Sequence, residues 1–214
     1  MITLVCFALK EEAAPFHKIA TRKPGIFTLI VGIGRQNAGN SIRDFLTATT
    51  PDLVLTCGFA GGLNPELQPG EVIFSTDGSL NPNCQLPAKL LAAGAKPATF
   101  TCADRIATTV AEKQQLRRQT NADAVEMESA EIHTVCHARG ITCATIRVIS
   151  DAANEDLPLD FNTLSKSDKS LDFSKLAWAI ARSPKKIGAL LALQKRTSFA
   201  AQRLTAVLQA VISQ

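Results

Sequence analysis

Three acidic residues stand at the ends of two predicted strands in the second half of the chain. Glu126 and Glu128 lie in the stretch Ala124-Val-Glu-Met-Glu-Ser-Ala-Glu131, and Asp151 follows the apolar part of Arg147-Val-Ile-Ser-Asp-Ala152. We expect the two strands to lie parallel in one sheet with a helix as crossover, so that the three carboxyl groups emerge at one carboxyl edge. Such a cluster could hold a polyol by hydrogen bonds and leave one acid free for proton transfer.

The segments that must position these acids alternate between apolar strands and helices. Continuous apolar runs are typical of strands that are covered on both faces. Their alternation with helices predicts an α/β protein with three layers, α/β/α, around a mainly parallel, mixed central sheet. No boundary interrupts the pattern, so we expect residues 1–214 to form a single domain, with C-terminal helices 173–210 packed on it. The predicted strands are residues 2–7, 26–31, 53–56, 71–75, 97–102, 123–127 and 142–149, and the predicted helices include 38–46, 87–93, 108–118 and 128–139.

The chain after Asp151 begins with a polar segment and ends with helices. Residues 152–170 predict a loop with one helical turn, which could act as a lid beside Asp151. Residues 173–181 and 186–210 predict two helices, and the second has one apolar face with basic residues around much of the rest. A basic amphipathic helix could contact an anionic membrane, but packing on the sheet is the interpretation that we favour.

Two glycine-rich segments follow predicted strands. The turn Gly32-Ile-Gly-Arg35 precedes a helix, a layout in which backbone amides can cradle phosphate. It has neither a Walker lysine nor the full dinucleotide spacing, and Arg35 could equally be a solvated residue of the first helical turn. The second segment, Gly58-Phe-Ala-Gly-Gly62, is predicted to be a loop that exposes its backbone above the sheet, although a tight turn with positive φ is an alternative.

The composition is that of an ordinary globular protein, with 46% hydrophobic and 20% charged residues. The 23 basic and 19 acidic residues leave a net charge of +4 without any run of like charges, which argues against a nucleic-acid-binding protein. The six cysteines are scattered without a CxxC pair, which indicates a reduced, cytoplasmic protein. We expect neither a signal peptide nor a membrane-spanning segment, because the start lacks a basic leader and no apolar run is long enough.

Four sequence elements together resemble the purine nucleoside phosphorylase and nucleosidase superfamily. They are Glu12 after the first strand, Gly58-Phe-Ala-Gly-Gly62, Val125-Glu-Met-Glu-Ser129 and Arg147-Val-Ile-Ser-Asp151. The resemblance covers about residues 1–153, and Val-Glu-Met-Glu followed by Ile-Ser-Asp is similar to the methylthioadenosine/S-adenosylhomocysteine nucleosidases. It implies cleavage of the N-glycosidic bond of a purine nucleoside of the adenine type, by phosphorolysis or hydrolysis.

The resemblance also implies roles for individual residues. An aspartate of the family protonates the purine N7, and the matching residue is Asp151. The second glutamate of the motif holds the ribose hydroxyls, which implies this role for Glu128, while Met127 would pack on the sugar. Glu12 corresponds to the acid that activates water, and Ser150 would lie beside the base. Further substrate contacts are expected from Glu126, Gly58, Phe59, Ala60 and Gly61, and Gly32, Gly34 and Arg35 are expected on the phosphate or water side.

The chain departs from the nucleosidase pattern at identifiable places. Phe59 stands where the nucleosidases have a serine, and the segment 76–100 is much shorter than in the family. From Ala103-Asp-Arg105 onward the chain is more similar to bacterial phosphorylases associated with hopanoid biosynthesis, which act on an adenine nucleoside with a large apolar 5′ substituent. Glu12 therefore favours water as the nucleophile, whereas the later similarity favours phosphate.

These observations leave two classes of function open. For the enzyme we expect no cofactor and no metal, with inorganic phosphate as co-substrate if it is a phosphorylase, and a homodimer or larger homo-oligomer acting on a small nucleoside. The alternative is a non-catalytic nucleoside-binding or sensor domain on the same fold, which Phe59 and the short middle segment favour. A dinucleotide-binding fold is disfavoured because Phe7-Ala-Leu-Lys10 lacks the phosphate fingerprint after the first strand.

Overall fold

The structure is a computed structural model that describes residues 1–76, 84–163 and 187–212. The helix predicted at residues 173–181 lies outside the described residues. The strands are β1 (Thr3–Phe7), β2 (Ile26–Ile30), β3 (Leu53–Gly62), β4 (Val72–Thr76), β5 (Lys96–Pro97), β6 (Phe100–Cys102), β7 (Ala124–Glu126) and β8 (Thr142–Asp151). The helices are α1 (Lys10–Ala20), α2 (Arg35–Ala48), α3 (Leu86–Ala92), α4 (Val110–Thr120), α5 (Ser129–His137) and α6 (Ile187–Ile212).

The eight strands form one mixed sheet. Its main order is β2-β1-β3-β8-β4-β5, and β7 pairs with β3 while β6 pairs with β7. The strands β2, β1, β3 and β8 are parallel neighbours, whereas β4 runs antiparallel to β8. The carboxyl ends of β1, β3 and β8 therefore lie along one edge, where open α/β sheets bind their ligands.

Alternate side chains of each central strand enter different hydrophobic cores. Val5 and Phe7 of β1 pack in the core that α1, α3 and α6 cover, while Leu4 and Cys6 pack in the core that α2 and α5 cover. This alternation follows from the two-residue period of a strand and requires a helical layer on each face. The predicted three-layer α/β/α fold with a mainly parallel, mixed sheet is confirmed.

The relative direction of the two acid-bearing strands differs from the prediction. β7 and β8 are not parallel neighbours, because β7 pairs antiparallel with β3, through Gly61 with Val125 and Gly62 with Ala124. After Val125 the chain runs back along β3 towards Gly58, which is paired with Arg147 in the middle of β8. The two glutamates thus approach the middle of β8, whereas Asp151 lies at its end.

Two predicted boundaries are also wrong. The glycine-rich segment predicted to be a loop is the second half of β3, because Gly58 to Gly61 continue the pairing with β8. The single strand predicted at 97–102 is two short strands, β5 and β6, which pair with β4 and β7 respectively. In both cases the pairing partner, which lies far away in the sequence, decides where the strand ends.

The last helix, α6, packs against the sheet with its C-terminal half. Its buried residues are Ala200, Ala201, Leu204, Thr205, Val207, Leu208 and Val211. This half of the amphipathic helix therefore lies against the sheet in the described residues, and the single domain of residues 1–214 stays a prediction. Within the described ranges, no helix combines the length and the apolar character that a membrane crossing requires.

We predict that Leu204→Ala destabilises the fold by about 2–5 kcal/mol, because it removes a fully buried side chain from the core beneath α6. Leu191→Ala in the same helix is the matched control, since Leu191 is 54% exposed and its truncation should change the free energy of unfolding by less than about 0.5 kcal/mol. Urea unfolding of both variants measures the difference. Equal losses would contradict the described packing of α6.

Candidate active site

A cavity of about 210 Å³ opens where the ends of β3, β7 and β8 meet the first turn of α1. Most of the residues that the sequence singled out come together in its wall, although they are separated by up to 139 positions, from Glu12 to Asp151. The predicted site residues in the wall are Glu12, Phe59, Ala60, Gly61, Glu126, Met127, Glu128, Ser150 and Asp151.

The guanidinium of Arg147 is fully buried beneath this cavity. It donates to the Cys57 carbonyl at 3.0 Å and to Oε2 of Glu126 at 2.5 Å, and Oε2 of Glu128 lies 3.4 Å away. Burial alone would lower the pKa of Arg147, but the surrounding carboxylates, Glu126 first, raise it above its ordinary value. Arg147 is therefore a permanent positive charge inside the sheet.

Glu126 is occupied by protein donors on both of its oxygens. Oε2 accepts from the amides of Glu128 at 3.0 Å and Ser129 at 2.8 Å, and Oε1 accepts from the Ser129 hydroxyl at 2.7 Å. Burial would raise its pKa, but Arg147 and these hydrogen bonds lower it below the ordinary value. Glu126 thus stays ionised and fixes the N-terminus of α5, which leaves it little capacity for a ligand.

Glu128 has more free capacity than Glu126. Its Oε1 accepts from the Gly34 amide at 2.9 Å, and its Oε2 has only the long contact with Arg147. Burial raises the pKa of Glu128 to about 7, helped by the negative charges of Glu126 and Glu12 and opposed by Arg147. At pH 7 Glu128 is therefore ionised in only part of the molecules, and its ionised form is the one that can accept two hydroxyl donors.

Glu12 closes the opposite side of the same charge cluster. Its Oε2 accepts from the Leu9 amide at 2.9 Å, so it caps α1, and its Oε1 accepts from the Phe59 amide at 2.9 Å. Burial raises its pKa by more than these bonds and Arg147 lower it. A carboxylate with a raised pKa is better suited to take a proton near neutral pH.

Glu12 and Arg147 leave no room for a side chain at position 58, which is a glycine. Its φ is +148°, and a Cβ atom there would lie 2.6 Å from Nη1 of Arg147 and 2.9 Å from Oε1 of Glu12. Gly58 does not line the cavity, but its missing side chain lets Glu12 and the guanidinium approach each other through β3. The substrate contact predicted for Gly58 stays a prediction, and the structure gives this glycine a steric role instead.

Asp151 belongs to a second, separate charge group. Its Oδ1 is 2.5 Å from the hydroxyl of Ser150, and its Oδ2 accepts from Nζ of Lys113 at 2.5 Å. Lys113 is fully buried on α4 and also donates to the carbonyls of Ala152 at 2.7 Å and Glu155 at 2.8 Å. Asp151 was predicted to lie at a strand end, and in the structure it is buried there with a buried cation as its partner.

The turn from Gly32 to Arg35 does not face the cavity as a free anion cradle. The Gly34 amide donates to Glu128, and the Arg35 guanidinium donates to the Cys102 carbonyl at 2.5 Å. Gly32, Gly34 and Arg35 are absent from the described cavity wall, although Ile33 is part of it. The predicted phosphate role of this turn stays a prediction.

The outer part of the cavity is apolar and comes from residues that the sequence analysis did not single out. Leu157 and Phe161 enter from the segment 152–163, and Leu193 and Thr197 enter from α6. A carboxamide holds this segment in place, because Asn162 pairs with the amide of Ile106 at 2.9 Å and with its carbonyl at 3.0 Å. The segment after Asp151 therefore contributes to the cavity wall where it is described, up to residue 163, and its action as a lid stays a prediction.

Arg147 and Lys113 contact the acids of the site, but no role was predicted for either residue from the sequence. Arg147 was part of a quoted motif, and a charged residue within the otherwise apolar β8 was a signal that could have identified it. Lys113 gave no such signal, because α4 is polar on most of its surface and one buried lysine does not change its pattern. Only the tertiary structure places it against Asp151.

Known proteins match this chain over much of its length. The family model of the phosphorylase superfamily matches residues 83–182. The 5′-methylthioadenosine/S-adenosylhomocysteine nucleosidase of Actinobacillus succinogenes is 31% identical over 160 residues, covering 61% of this chain and 69% of the relative. The aminodeoxyfutalosine nucleosidase of Campylobacter jejuni is 27% identical over 158 residues, covering 61% and 69% respectively.

Solved structures share the fold over nearly the whole chain. The futalosine hydrolase of Helicobacter pylori has a TM-score of 0.71 at 18% identity, covering 100% of this chain and 97% of that chain. The 5′-methylthioadenosine/S-adenosylhomocysteine nucleosidase of Neisseria meningitidis, in complex with methylthio-immucillin-A, has a TM-score of 0.71 at 17% identity, covering 99% and 98%. Because a relative of which it covers 69% is 31% identical to it, this chain belongs to the phosphorylase superfamily, which includes the purine nucleoside phosphorylases and nucleosidases.

Proposed function

We propose that this protein is an enzyme that hydrolyses the N-glycosidic bond of an adenine-type nucleoside. The observation that carries the proposal is the cavity in which Asp151, Glu128 and Glu12 meet. Such a reaction needs an acid for the departing base, acceptors for the sugar hydroxyls and a base for water, because the sugar becomes positively charged as the bond breaks. The three carboxyl groups differ in their surroundings in a way that suits these different tasks.

Each acid takes the task that its contacts favour. Asp151, beside Ser150, would give a proton to the purine N7. Glu128 would accept the ribose hydroxyls, since its Oε2 has only a 3.4 Å contact with Arg147. Glu12 would take a proton from the attacking water, and its raised pKa supports this role.

Water is the nucleophile that the geometry favours over phosphate. The Gly34 amide and the Arg35 guanidinium, which could have held phosphate, already donate to acceptors of the protein. The relatives that match this chain are named nucleosidases, and one structural neighbour is named a hydrolase. Glu12 is placed beside the cavity with its carboxylate held by two amides, as a fixed base for water would be.

The apolar outer wall supports a substrate with an apolar 5′ substituent. Leu157, Phe161 and Leu193 offer no charged partner there, which agrees with the resemblance to enzymes of nucleosides with large apolar 5′ groups. From the resemblance to the nucleoside phosphorylase and nucleosidase superfamily we infer a homo-oligomer, and from the scattered cysteines a reduced, cytoplasmic protein. The possible substrates are adenine nucleosides that differ from one another in this 5′ group.

The first prediction concerns the nucleophile. The purified protein should release adenine from methylthioadenosine at the same rate with and without inorganic phosphate, and the sugar product should be the free sugar. Chromatography of both products measures this. Release that depends on phosphate, with a sugar 1-phosphate as product, would identify a phosphorylase. Adenine binding without turnover of methylthioadenosine or adenosine would instead favour the non-catalytic binding domain.

The second prediction concerns Glu12. Glu12→Gln should lower kcat for hydrolysis by about 10²-fold or more, because the amide keeps the size of the side chain but cannot take a proton from water. Glu11→Gln is the matched control, because Glu11 precedes Glu12 in the chain but has an exposed side chain. This variant should keep kcat near the wild-type value. Steady-state assays at pH 7 measure both variants. An unchanged rate in Glu12→Gln would remove Glu12 from the proposed mechanism.

The third prediction concerns the pH dependence of substrate binding. Because the pKa of Glu128 is about 7, this residue becomes protonated as the pH falls through that value and loses acceptor capacity for the ribose hydroxyls. KM should therefore rise at lower pH, by up to about tenfold per pH unit, since substrate binding then releases one proton. In Glu128→Gln, KM should be high and should lose this dependence. A wild-type KM that is constant from pH 5 to 8, roughly two units below to one unit above this pKa, would contradict the assignment.

A further inference from the structure

The ammonium group of Lys113 has a complete set of acceptors inside the protein. Its three N–H donors match Oδ2 of Asp151 and the carbonyls of Ala152 and Glu155, at 2.5, 2.7 and 2.8 Å. The side chain is fully buried, and a buried cation is retained only when it is paired and hydrogen-bonded. This contact therefore fixes one oxygen of Asp151 in position.

The other oxygen of Asp151 can carry or release a proton without losing its hydrogen bond. Oδ1 lies 2.5 Å from Oγ of Ser150, and the same Oγ lies 3.2 Å from the Ala60 carbonyl. A hydroxyl has one proton, so Ser150 donates to Oδ1 when Asp151 is ionised. When Asp151 is protonated on Oδ1, it can donate to Ser150, which then donates to the Ala60 carbonyl.

We propose that Lys113 is a positioning residue that holds Oδ2 of Asp151, so that Oδ1 is the atom that delivers the proton to the departing purine. This inference rests on the proposed function. A proton on Oδ2 would face the N–H of the ammonium, whereas a proton on Oδ1 faces the Ser150 side of the cavity. Lys113 thus determines which of the two carboxyl oxygens of Asp151 carries the proton.

The proton balance of the step follows directly. The O–H bond at Oδ1 breaks as the proton passes to the purine N7, and the electron pair of the C1′–N bond leaves with the base. The oxygen of water bonds to C1′, and a proton of that water passes to Glu12. Asp151 becomes a carboxylate, which the adjacent ammonium of Lys113 stabilises in a site with little water.

The other charged groups around the cavity do not replace Lys113 in this task. Glu12, Glu126 and Glu128 form the cluster with Arg147, and Arg105 at the rim is paired with Glu112 of α4. The side chain of Glu155 is paired with Arg196 of α6. Among the described residues, Lys113 is the cation in contact with Asp151.

A double-mutant cycle tests whether Lys113 acts through Asp151. Lys113→Met should lower kcat for adenine release by roughly 10- to 100-fold, with a much smaller change in KM, because proton delivery is impaired. In the Asp151→Asn background, which itself loses most turnover, the same substitution should change kcat by less than about twofold. If Lys113 only stabilised the fold, the two losses would multiply, and this result would overturn the proposal.

A matched control is provided by Lys96→Met. Lys96 forms an ion pair with Glu71 at the same distance of 2.5 Å, but at the exposed surface and outside the cavity wall. This variant should keep wild-type kcat. Lys113→Gln, which removes the charge but keeps a donor, should fold and show a loss between those of the wild type and Lys113→Met, so a folding failure of the methionine variant does not end the test. A wild-type rate in Lys113→Gln would overturn the proposal.

A substrate whose leaving group needs no proton gives an independent measurement. With 4-nitrophenyl β-D-ribofuranoside, Lys113→Met should retain its rate within about threefold while losing activity on the nucleoside, since acid catalysis no longer contributes. Equal losses on both substrates would mean that Lys113 has a structural role only. If the wild-type protein releases no adenine at all, it is the proposed function that fails, and the two failures are thereby distinguished.

Discussion

The buried guanidinium of Arg147 is the charge on which the centre of this structure depends. It lies in the middle of β8, where a neutral apolar residue would satisfy the core, and it has three carboxylates around it. A buried carboxylate without a positive partner is costly, so Arg147, together with the hydrogen-bond donors at the start of α5, keeps Glu126 ionised. The antiparallel approach of β7 and the missing side chain of Gly58 are the two features of the backbone that make room for these contacts.

One cation among three carboxylates also explains why two glutamates that are two residues apart behave differently. Glu126 receives Arg147 and three donors at the start of α5, which lowers its pKa. Burial raises the pKa of Glu128 to about 7, because this residue has the same cation only at a longer distance and lies next to an acid that is already ionised. Glu126 therefore has a structural role in the site, whereas Glu128 has the capacity to bind a ligand.

The sequence predicted the layers and most elements, because these depend on local patterns. The apolar run of β1 and the periodicity of α6 identify a buried strand and a packed helix without any knowledge of their partners. The direction of β7 could not be predicted in this way, since a strand of three residues can pair in either direction. Its antiparallel direction is set by pairing with Gly61 and Gly62 of β3, which lie far from it in the sequence. Lys113 was beyond prediction for the same reason, as its buried partner lies 38 residues away.

The two charge groups of the cavity differ in balance, and the difference fits a reaction that makes the sugar positive. Lys113 faces one carboxyl group, that of Asp151, so this pair becomes neutral once Asp151 has given up its proton. Arg147 faces Glu12, Glu126 and Glu128, so that cluster carries an excess of negative charge when its acids are ionised. In the proposed reaction the balanced pair serves the departing base, while the negative cluster lies where the ribose and water bind. Fixed negative charge beside an oxocarbenium-like sugar stabilises the transition state more than the neutral substrate, which is the requirement for catalysis.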